Sequence, residues 1–195
     1  GFDPYSLSKS CSDMISQSYR DSMNSNHLIS TMRAGNVIGG GDMSDNRIIP
    51  DIVRAVTEGK ELSLRNPNSV RPYQHVFDAL TSYLYIALLQ KETEKLQGDY
   101  NVGPELEQTM TTQELVEKMS EELKFTWNTS GESIGKESDY LALNNSKIKE
   151  KGWKPAFGDN EKVVKATASW YSKFIDGEDM QEYTLKQISE AFNSL

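Results

Sequence analysis

Apolar residues recur at helical spacing along most of this chain. In residues 6–25, Leu7, Cys11, Met14 and Ile15 form a stripe on one face of a predicted helix, where a small residue such as Cys11 is expected to be buried. Thr111 with Glu114 three residues later has the pattern of a capping box at a helix start. The same periodicity predicts further helices over 48–59, 76–91, 112–123, 146–151, 160–176 and 180–192.

Short apolar runs between these helices predict strands at 28–33, 61–64, 99–102, 125–127 and 140–143, and polar residues 128–138 read as a loop. Because strands and helices alternate, we expect an α/β fold with parallel pairing. The triple glycine Gly39-Gly40-Gly41 follows the first strand. Such a run marks a loop where the backbone turns freely or approaches a ligand.

Charge and cysteine content narrow the classes of function. The 195 residues carry 21 Lys and Arg against 29 Asp and Glu, a net charge of −8, which argues against a nucleic-acid partner. One cysteine and two histidines provide no disulfide and no metal-ligand set. The absence of a long apolar run and of a signal peptide predicts no membrane partner and a cytoplasmic location.

Tyr5 and Lys9 stand one helical turn apart near the start of the sequence. A positive charge beside a phenol favours the phenolate, so the pair suits proton transfer. A Tyr-x-x-x-Lys match alone occurs often by chance. Its meaning comes from the segments that follow in order, which read RAGNVIG at 33–39, RPYQHV at 71–76 and YNVGP at 100–104.

In this order the segments resemble the extended short-chain dehydrogenase/reductase family, in its sugar-nucleotide branch. Within that branch, residues 33–42 and 47–51 resemble the CDP-glucose 4,6-dehydratases, and the similarity continues to the C-terminal helices. The departures are Met43 and Tyr73, where those enzymes tend to have Trp, and Asn144-Asn145, where an Asp is usual.

The resemblance implies a fold and a reaction. Residues 1–38 and 72–103 would form the C-terminal part of an NAD-binding Rossmann-type sheet, and residues 39–71 and 104–195 a smaller α/β substrate-binding domain. The reaction would convert CDP-D-glucose to CDP-4-keto-6-deoxy-D-glucose and water. Hydride would leave C4 for bound NAD, water would leave across C5 and C6, and the hydride would return to C6.

The resemblance also assigns roles to single residues. Tyr5 would be the base at the 4-hydroxyl, and Lys9 would stabilise the phenolate and hydrogen-bond the nicotinamide ribose. Arg33 is placed with them as a cofactor-binding residue. Arg71 would bind the diphosphate, because a guanidinium matches phosphate oxygens bidentately. Asn36 corresponds to an asparagine that touches the substrate's phosphate region.

Four further residues complete the predicted substrate site. Arg47 precedes the helix at 48, whose N-terminus favours an anion, and is expected near the nucleotide. His75 opens an apolar helix, where a structural hydrogen bond is the favoured interpretation and a substrate contact the alternative. Tyr100 and Asn101 lie at a strand end, from which they are expected to line the pocket.

The sequence contains no Gly-x-x-Gly-x-x-Gly, the loop with which such enzymes hold the NAD pyrophosphate. We therefore expect the C-terminal half of a longer enzyme, inactive alone, that associates with its N-terminal half or forms a homodimer. Two alternatives stay open. One is a non-catalytic nucleotide-sugar-binding or subunit-association module, and the other is a sibling epimerase or dTDP-sugar dehydratase.

Overall fold

The computed structural model describes residues 3–22, 27–129 and 138–193, in which helices and strands alternate as predicted, and the α/β prediction is confirmed. The helices are α1 (Pro4–Ser22), α2 (Ile48–Glu58), α3 (Val76–Glu92), α4 (Thr112–Leu123), α5 (Ser146–Lys149), α6 (Asn160–Ile175) and α7 (Met180–Asn193). The strands are β1 (Ser30–Ala34), β2 (Asn36–Ile38), β3 (Leu62–Leu64), β4 (Val70–Arg71), β5 (Tyr73–His75), β6 (Gly98–Val102), β7 (Met110–Thr111) and β8 (Trp127–Thr129).

The strands of the described residues pair in four short ladders. The pairs β1–β6, β2–β5 and β3–β8 are parallel, and β4–β7 is antiparallel. Gly35 joins the first two ladders, because its N–H bonds to the carbonyl of Val102 at 3.0 Å just before β2 begins. A Cβ at Gly35 would lie 2.7 Å from the carbonyl oxygen of Pro72, so the two chain segments are in close contact there. Asn36 is therefore held where the two ladders meet.

Most differences from the sequence prediction concern short strands. The sequence analysis did not predict β2 or β5, and it placed the strand that becomes β8 at 125–127, two residues too early. The predicted strand at 140–143 is wrong, since only an isolated bridge between Tyr140 and Val70 forms there. Strands of two or three residues carry no readable alternation, and their pairing partners lie far away in the sequence.

Two groups of buried side chains form the core. The larger joins α2, β3, α4 and α6, with Ile52, Leu115, Met119 and Tyr171 fully enclosed. Thr111 and Glu114 form the predicted capping box at the start of α4, which orients that helix on the core. The smaller group comprises Ile86, Tyr100, Val102, Ile148 and Trp153.

Helix α1, which carries Tyr5 and Lys9, has no buried residue. Its predicted apolar stripe is exposed, as Met14 at 67% illustrates, and Cys11 is exposed rather than buried as expected. The helix lies on the surface of the described part, so its short polar side chains and apolar stripe have no core to face. No helix in the described ranges is both long enough and apolar enough to cross a lipid bilayer.

Candidate functional site

A cavity of about 790 Å³ lies between the start of α1, strand β2 and the start of α2. Tyr5, Asn36 and Arg47, which the sequence analysis assigned to catalysis and substrate binding, all line it. Its wall is completed by the loop after β2, through Gly39, Gly40 and Asp42, with Leu141 and Leu143 on another side. The cavity thus combines a phenol, an amide, a guanidinium and apolar surface.

A second cavity, of about 430 Å³, adjoins the first. It contains Arg71, the residue predicted to bind diphosphate, together with Arg65, Ser69 and Thr112. The two cavities share the lining residues Asn36, Asn46, Ile48 and Tyr73. A single elongated ligand could therefore extend from Tyr5 at one end to the arginines at the other.

The first turn of α1 fixes the position of Tyr5. The Asp3 carboxylate accepts hydrogen bonds from the backbone N–H groups of Tyr5 at 2.9 Å and Ser6 at 3.0 Å, and from the Ser6 hydroxyl at 2.5 Å. The hydrogen bond from the Ser6 hydroxyl is the largest cause of the lowered pKa of Asp3, which stays ionised at the helix N-terminus. The Nζ of Lys9 lies 5.5 Å from the centroid of the Tyr5 ring. The ammonium therefore lies beside the phenol on α1, and Tyr5 is the one of the two that lines the cavity.

Arg47 is held at the cavity wall by Asp42. Its Nη1 lies 3.2 Å from an Asp42 carboxylate oxygen, and the backbone N–H of Ser44 donates to the other oxygen at 3.0 Å. Burial acts to raise the pKa of Asp42, but the hydrogen bonds from Ser44 and Arg47 outweigh it and the pKa is lowered. Asp42 therefore stays ionised and keeps the Arg47 guanidinium at the cavity.

The N-terminus of α2 adds a second source of positive potential. Arg47 is its N-cap residue and makes no side-chain capping hydrogen bond, so the first amides of α2 have no side-chain acceptor from that residue. Ile48, Ile49 and Pro50 of this first turn line the larger cavity. An anionic group placed there would meet both the helix dipole and the Arg47 charge.

Arg71 is buried rather than exposed at the surface. It lies in β4 with 9% of its surface exposed, and its Nη1 donates to the carbonyl of Val70 at 2.9 Å. Because this strand pairs with β7, the start of α4 lies beside it and Thr112 shares its cavity. The backbone thus fixes where the Arg71 guanidinium meets the second cavity.

The structure does not bring Arg33 to these cavities. The Arg33 guanidinium pairs with Asp13 of α1 at 2.5 Å and with Asp99 of β6 at 3.6 Å. The hydrogen bond to Asp13 raises the pKa of Arg33. Within the described residues its visible role is to connect α1 to the sheet, and its predicted contact with the cofactor stays a prediction.

His75, Tyr100 and Asn101 also lie away from both cavities. His75 is fully buried between Phe77 and Phe157, and its Nδ1 accepts the Phe77 N–H at 3.3 Å as the N-cap of α3. Burial lowers the pKa of His75 to about 4. The Tyr100 hydroxyl donates to the Leu96 carbonyl at 2.6 Å from a ring with 1% exposure. Asn101 is half-buried and lies opposite Arg33 in the β1–β6 ladder.

Asn46 and Arg65 are among the cavity residues that the sequence analysis missed. Asn46 lines both cavities and has a φ of 60°, a left-handed conformation that Asn adopts more readily than most residues. Arg65 follows strand β3 at the second cavity. The only sequence signals were the position of Asn46 beside Arg47 and that of Arg65 beside Asn66-Pro67-Asn68, a sequence typical of a turn. Across the described residues, no three His, Cys, Asp or Glu side chains meet in a way that could hold a metal ion.

Comparison with known proteins identifies the family. The sequence profile of the NAD-dependent epimerase/dehydratase family matches residues 2–103, which include Tyr5, Lys9, Asn36, Arg47 and Arg71. The chain belongs to this family. It is also 36% identical, over 97% of its length, to CDP-glucose 4,6-dehydratase of Salmonella typhimurium strain LT2.

Solved structures of the epimerase/dehydratase family share the fold. The dTDP-glucose 4,6-dehydratase of Bacillus anthracis str. Ames, solved in complex with NAD, is 25% identical with a TM-score of 0.70 over 90% of this chain. A double mutant of the Streptomyces venezuelae dTDP-glucose 4,6-dehydratase, with NAD bound, reaches a TM-score of 0.74 at 19% identity over 90% of this chain. The Rossmann-like fold expected from the sequence is thereby confirmed.

The epimerase/dehydratase relatives are considerably longer than the present chain. It spans 56% of the length of the Salmonella enzyme, 54% of the Bacillus chain and 52% of the Streptomyces chain. The family is described as NAD-dependent. On α1 of this chain the Tyr5 hydroxyl and the Lys9 ammonium are neighbours, and Lys9 forms no ion pair with the described residues, so the two side chains have the hydrogen-bonding groups that a ribose requires.

Proposed function

We propose that this chain provides the substrate-binding and proton-transfer part of a CDP-glucose 4,6-dehydratase, a lyase that uses NAD. One observation carries the proposal: Tyr5, Asn36 and Arg47, which are 42 positions apart at most, line one cavity that continues into the cavity of Arg71. The 36% identity to the Salmonella enzyme supports CDP-glucose as the substrate.

In this proposal the nucleotide diphosphate lies across the two cavities. Arg71 and Arg47 bind phosphate oxygens, with the N-terminus of α2 beside them. Asn36 contacts the sugar-proximal phosphate, since it lines both cavities. The nucleoside lies on the side of Arg65 and Thr112, which leaves the hexose in the larger cavity facing Tyr5.

Tyr5 acts as the base in this arrangement. As a phenolate, its oxygen accepts the proton of the sugar 4-hydroxyl and becomes a neutral phenol, and the Lys9 ammonium one turn away stabilises the phenolate before this transfer. Tyr5 and Lys9 would hold the nicotinamide ribose of bound NAD, which would supply the hydride acceptor for C4. The apolar side chains Leu141 and Leu143 limit water at the same cavity, which strengthens the polar contacts to the sugar.

The cofactor's pyrophosphate needs residues that this sequence does not contain, because it has no Gly-x-x-Gly-x-x-Gly loop. We therefore propose that turnover requires an N-terminal nucleotide-binding half, and that the 195 residues alone bind substrate without turning it over. The exposed stripe on α1 supports contact with that half or with a second copy in a homodimer. We propose a cytoplasmic location, as for a soluble sugar-nucleotide enzyme.

Thermal unfolding with three ligands tests the substrate assignment. At about ten times Kd, a ligand stabilises by about 1.4 kcal/mol, which corresponds to a rise in Tm of roughly 3–6 °C for a chain of this size. We expect this rise with CDP-glucose at ten times its own Kd, and a smaller rise with dTDP-glucose and UDP-glucose at the same concentration. Equal shifts for all three would contradict the CDP assignment.

Turnover is tested in a protein that joins these residues to a nucleotide-binding half. Tyr5→Phe should abolish formation of the 4-keto product and leave the Kd for CDP unchanged within about twofold, because only the phenol oxygen is lost. Tyr19→Phe, on the same helix and remote from the cavity, serves as the control. Near-full activity of the Tyr5→Phe protein would remove Tyr5 as the base.

A further inference from the structure

Helix α6 packs against the loop at 39–42, on the side of the loop that faces away from the cavity. An added Cβ at Gly40 would lie 2.1 Å from the Cγ and Cδ2 atoms of Trp170, so the indole packs directly on the loop backbone. The next residue, Tyr171, donates its hydroxyl to the carbonyl of Asp42 at 2.8 Å. Trp170 and Tyr171 thus contact the loop at two points, and neither lines the cavity.

Both aromatic side chains are themselves fixed. The Trp170 Nε1 donates to the Thr184 hydroxyl of α7 at 2.9 Å, and its ring stacks on Phe174 with centroids 5.6 Å apart. Tyr171 is fully buried. Its hydroxyl therefore remains a donor to the Asp42 carbonyl, and burial raises the pKa of Tyr171 to about 12.

The loop transmits this support to Arg47. Asp42 uses its carbonyl to accept from Tyr171 and its carboxylate to pair with Arg47. Gly39, Gly40 and Asp42 line the cavity that also contains Tyr5 and Asn36. A shift of the loop would therefore move the Arg47 guanidinium relative to a bound ligand.

We propose that Trp170 and Tyr171 are positioning residues, which set the place of Arg47 for the anionic part of the substrate through the loop at 39–42. The proposal rests on the proposed function for the identity of the ligand. It assigns a role in ligand recognition to the C-terminal helices α6 and α7, more than 120 residues away from the loop in the sequence.

Tyr171→Phe tests this role, because it deletes only the hydroxyl that bonds to Asp42. The matched control is Tyr183→Phe, which deletes a hydroxyl 2.6 Å from Ser169 at the α6–α7 contact, away from the loop. Using CDP-glucose in calorimetric titrations, we expect the Kd to rise about two- to fivefold for Tyr171→Phe, as for loss of the Arg47 charge, and less than twofold for Tyr183→Phe. Circular dichroism at the same temperature verifies that each protein is folded.

A double-mutant cycle separates positioning from general destabilisation. If Tyr171 acts through Arg47, then adding Tyr171→Phe to Arg47→Gln should raise the Kd less than twofold further, whereas independent effects would multiply. Multiplicative effects, or equal Kd values for Tyr171→Phe and Tyr183→Phe, would overturn the proposal. Failure of the wild-type protein to bind CDP-glucose would instead overturn the proposed function. In that case, amide exchange at Gly40 and Asp42 still tests the loop contact, with faster exchange expected only in Tyr171→Phe.

A second, independent observation concerns a small buried cavity of about 10 Å³ between β5, α6 and the segment before α6. Three buried polar atoms without a hydrogen-bond partner in the described structure belong to residues that line it: Gln74 Oε1, Trp153 Nε1 and Asn160 Oδ1. The Gln74 Nε2 donates to the Val102 carbonyl at 3.0 Å, which fixes Oε1 as the unpaired end of that amide.

We infer that one water molecule binds in this cavity, accepting from Trp153 and donating to Gln74 and Asn160. One donor and two acceptors match the hydrogen-bonding capacity of a single water, and the cavity has space for one. A crystal structure at about 1.8 Å should show an isolated density peak within hydrogen-bond distance of all three atoms. Direct pairing of the three side chains, or a cavity without density, would overturn this inference.

Discussion

The Arg33 guanidinium binds both oxygens of the Asp13 carboxylate, with 2.5 Å between Nη2 and Oδ2 and 3.1 Å between Nε and Oδ1. This pair joins strand β1 to the helix that carries Tyr5. A second pair, between Arg20 and Asp99, joins the end of the same helix to β6 at 3.0 and 3.3 Å. α1 has no buried residue, and these two ion pairs connect it to strands β1 and β6.

The two ion pairs should differ in their contribution to stability. The Arg20 and Asp99 side chains are 13% and 25% exposed, so Arg20→Met should lower the free energy of unfolding by about 1–2 kcal/mol. The Arg33 side chain is 44% exposed, so Arg33→Met should cost below about 1 kcal/mol. Urea denaturation measures both. Lys60→Met, which removes a fully exposed pair with Glu58, is the control and should have no effect. A larger loss in Arg33→Met than in Arg20→Met would contradict this ranking.

His75 should make stability depend on pH. Its pKa is lowered by burial from 6.5 to about 4, so its contribution is complete above pH 6.5 and is lost as the pH falls through 4. The difference between these two pKa values corresponds to about 3 kcal/mol in the free energy of unfolding, between a pH above 6.5 and a pH below 4. Relative to His75→Gln, which keeps an acceptor for the Phe77 amide, the wild-type protein should lose up to that amount between pH 7 and pH 4.

Urea denaturation of both proteins across this range gives the comparison. Asp78, near His75 on α3, is also buried, and desolvation raises its pKa although the Phe157 and Gly158 amides oppose this. Asp78 therefore changes the free energy of unfolding with pH in the opposite direction to His75, because the stability due to Asp78 is lost as the pH rises through the raised pKa of this carboxyl. Since Asp78 is present in both proteins, it cancels in the difference. Parallel pH profiles for the two proteins would show that His75 titrates normally.

Gly40 should tolerate no side chain. Gly40→Ala places a Cβ against the Trp170 ring, and overpacking of this kind costs about 1–3 kcal/mol. At Gly59, which has a φ of 62° and no atom within 4 Å of an added Cβ, alanine should cost only about 1 kcal/mol through backbone strain. Denaturation of both variants measures the difference. In a Trp170→Leu background the penalty at Gly40 should shrink, and an unchanged penalty would contradict steric overlap with the indole.

Arg47 should contribute to the binding of CDP chiefly through its charge. Its side chain is 67% exposed, so Arg47→Gln should weaken CDP binding only about two- to fivefold. The dependence of Kd on salt should become shallower, since one phosphate contact is lost. Arg54→Gln removes a nearby charge that pairs with Asp45 and Asp51 and lines neither ligand cavity, and it should leave Kd unchanged. If Arg47→Gln and Arg54→Gln raised the Kd for CDP equally, Arg47 would act only by long-range attraction of the ligand and not by direct contact.

The long helices could be predicted from the sequence because their apolar spacing and caps are local signals. α2 ends at Glu58 with Gly59 as its C-cap at a φ of 62°, close to the predicted end at 59, and α4 begins with its predicted capping box. The short strands could not be predicted, because β2 and β5 form through hydrogen bonds to each other and carry no local pattern that indicates a strand. Likewise, no local pattern indicated that Arg33 would pair with Asp13 on α1.

The candidate site was predicted through family resemblance and not through periodicity. That resemblance grouped Tyr5, Asn36 and Arg47, and the folded chain brings these three residues to one cavity, while their roles stay predictions. It did not separate residues that reach the cavity from residues that support the fold, such as Tyr100. That distinction depends on which way each strand faces its neighbours, and the register of two distant strands decides it.

The ladder between β3 and β8 has a consequence for the synthesis of the protein. Leu62 and Leu64 are buried in the folded chain and pair with Trp127 and Thr129. At 5–20 residues per second, a ribosome needs roughly 3–13 seconds to make the intervening chain. During that time β3 is an unpaired apolar strand on a nascent polypeptide. A chaperone that recognises extended apolar segments would have an opportunity to bind this protein there.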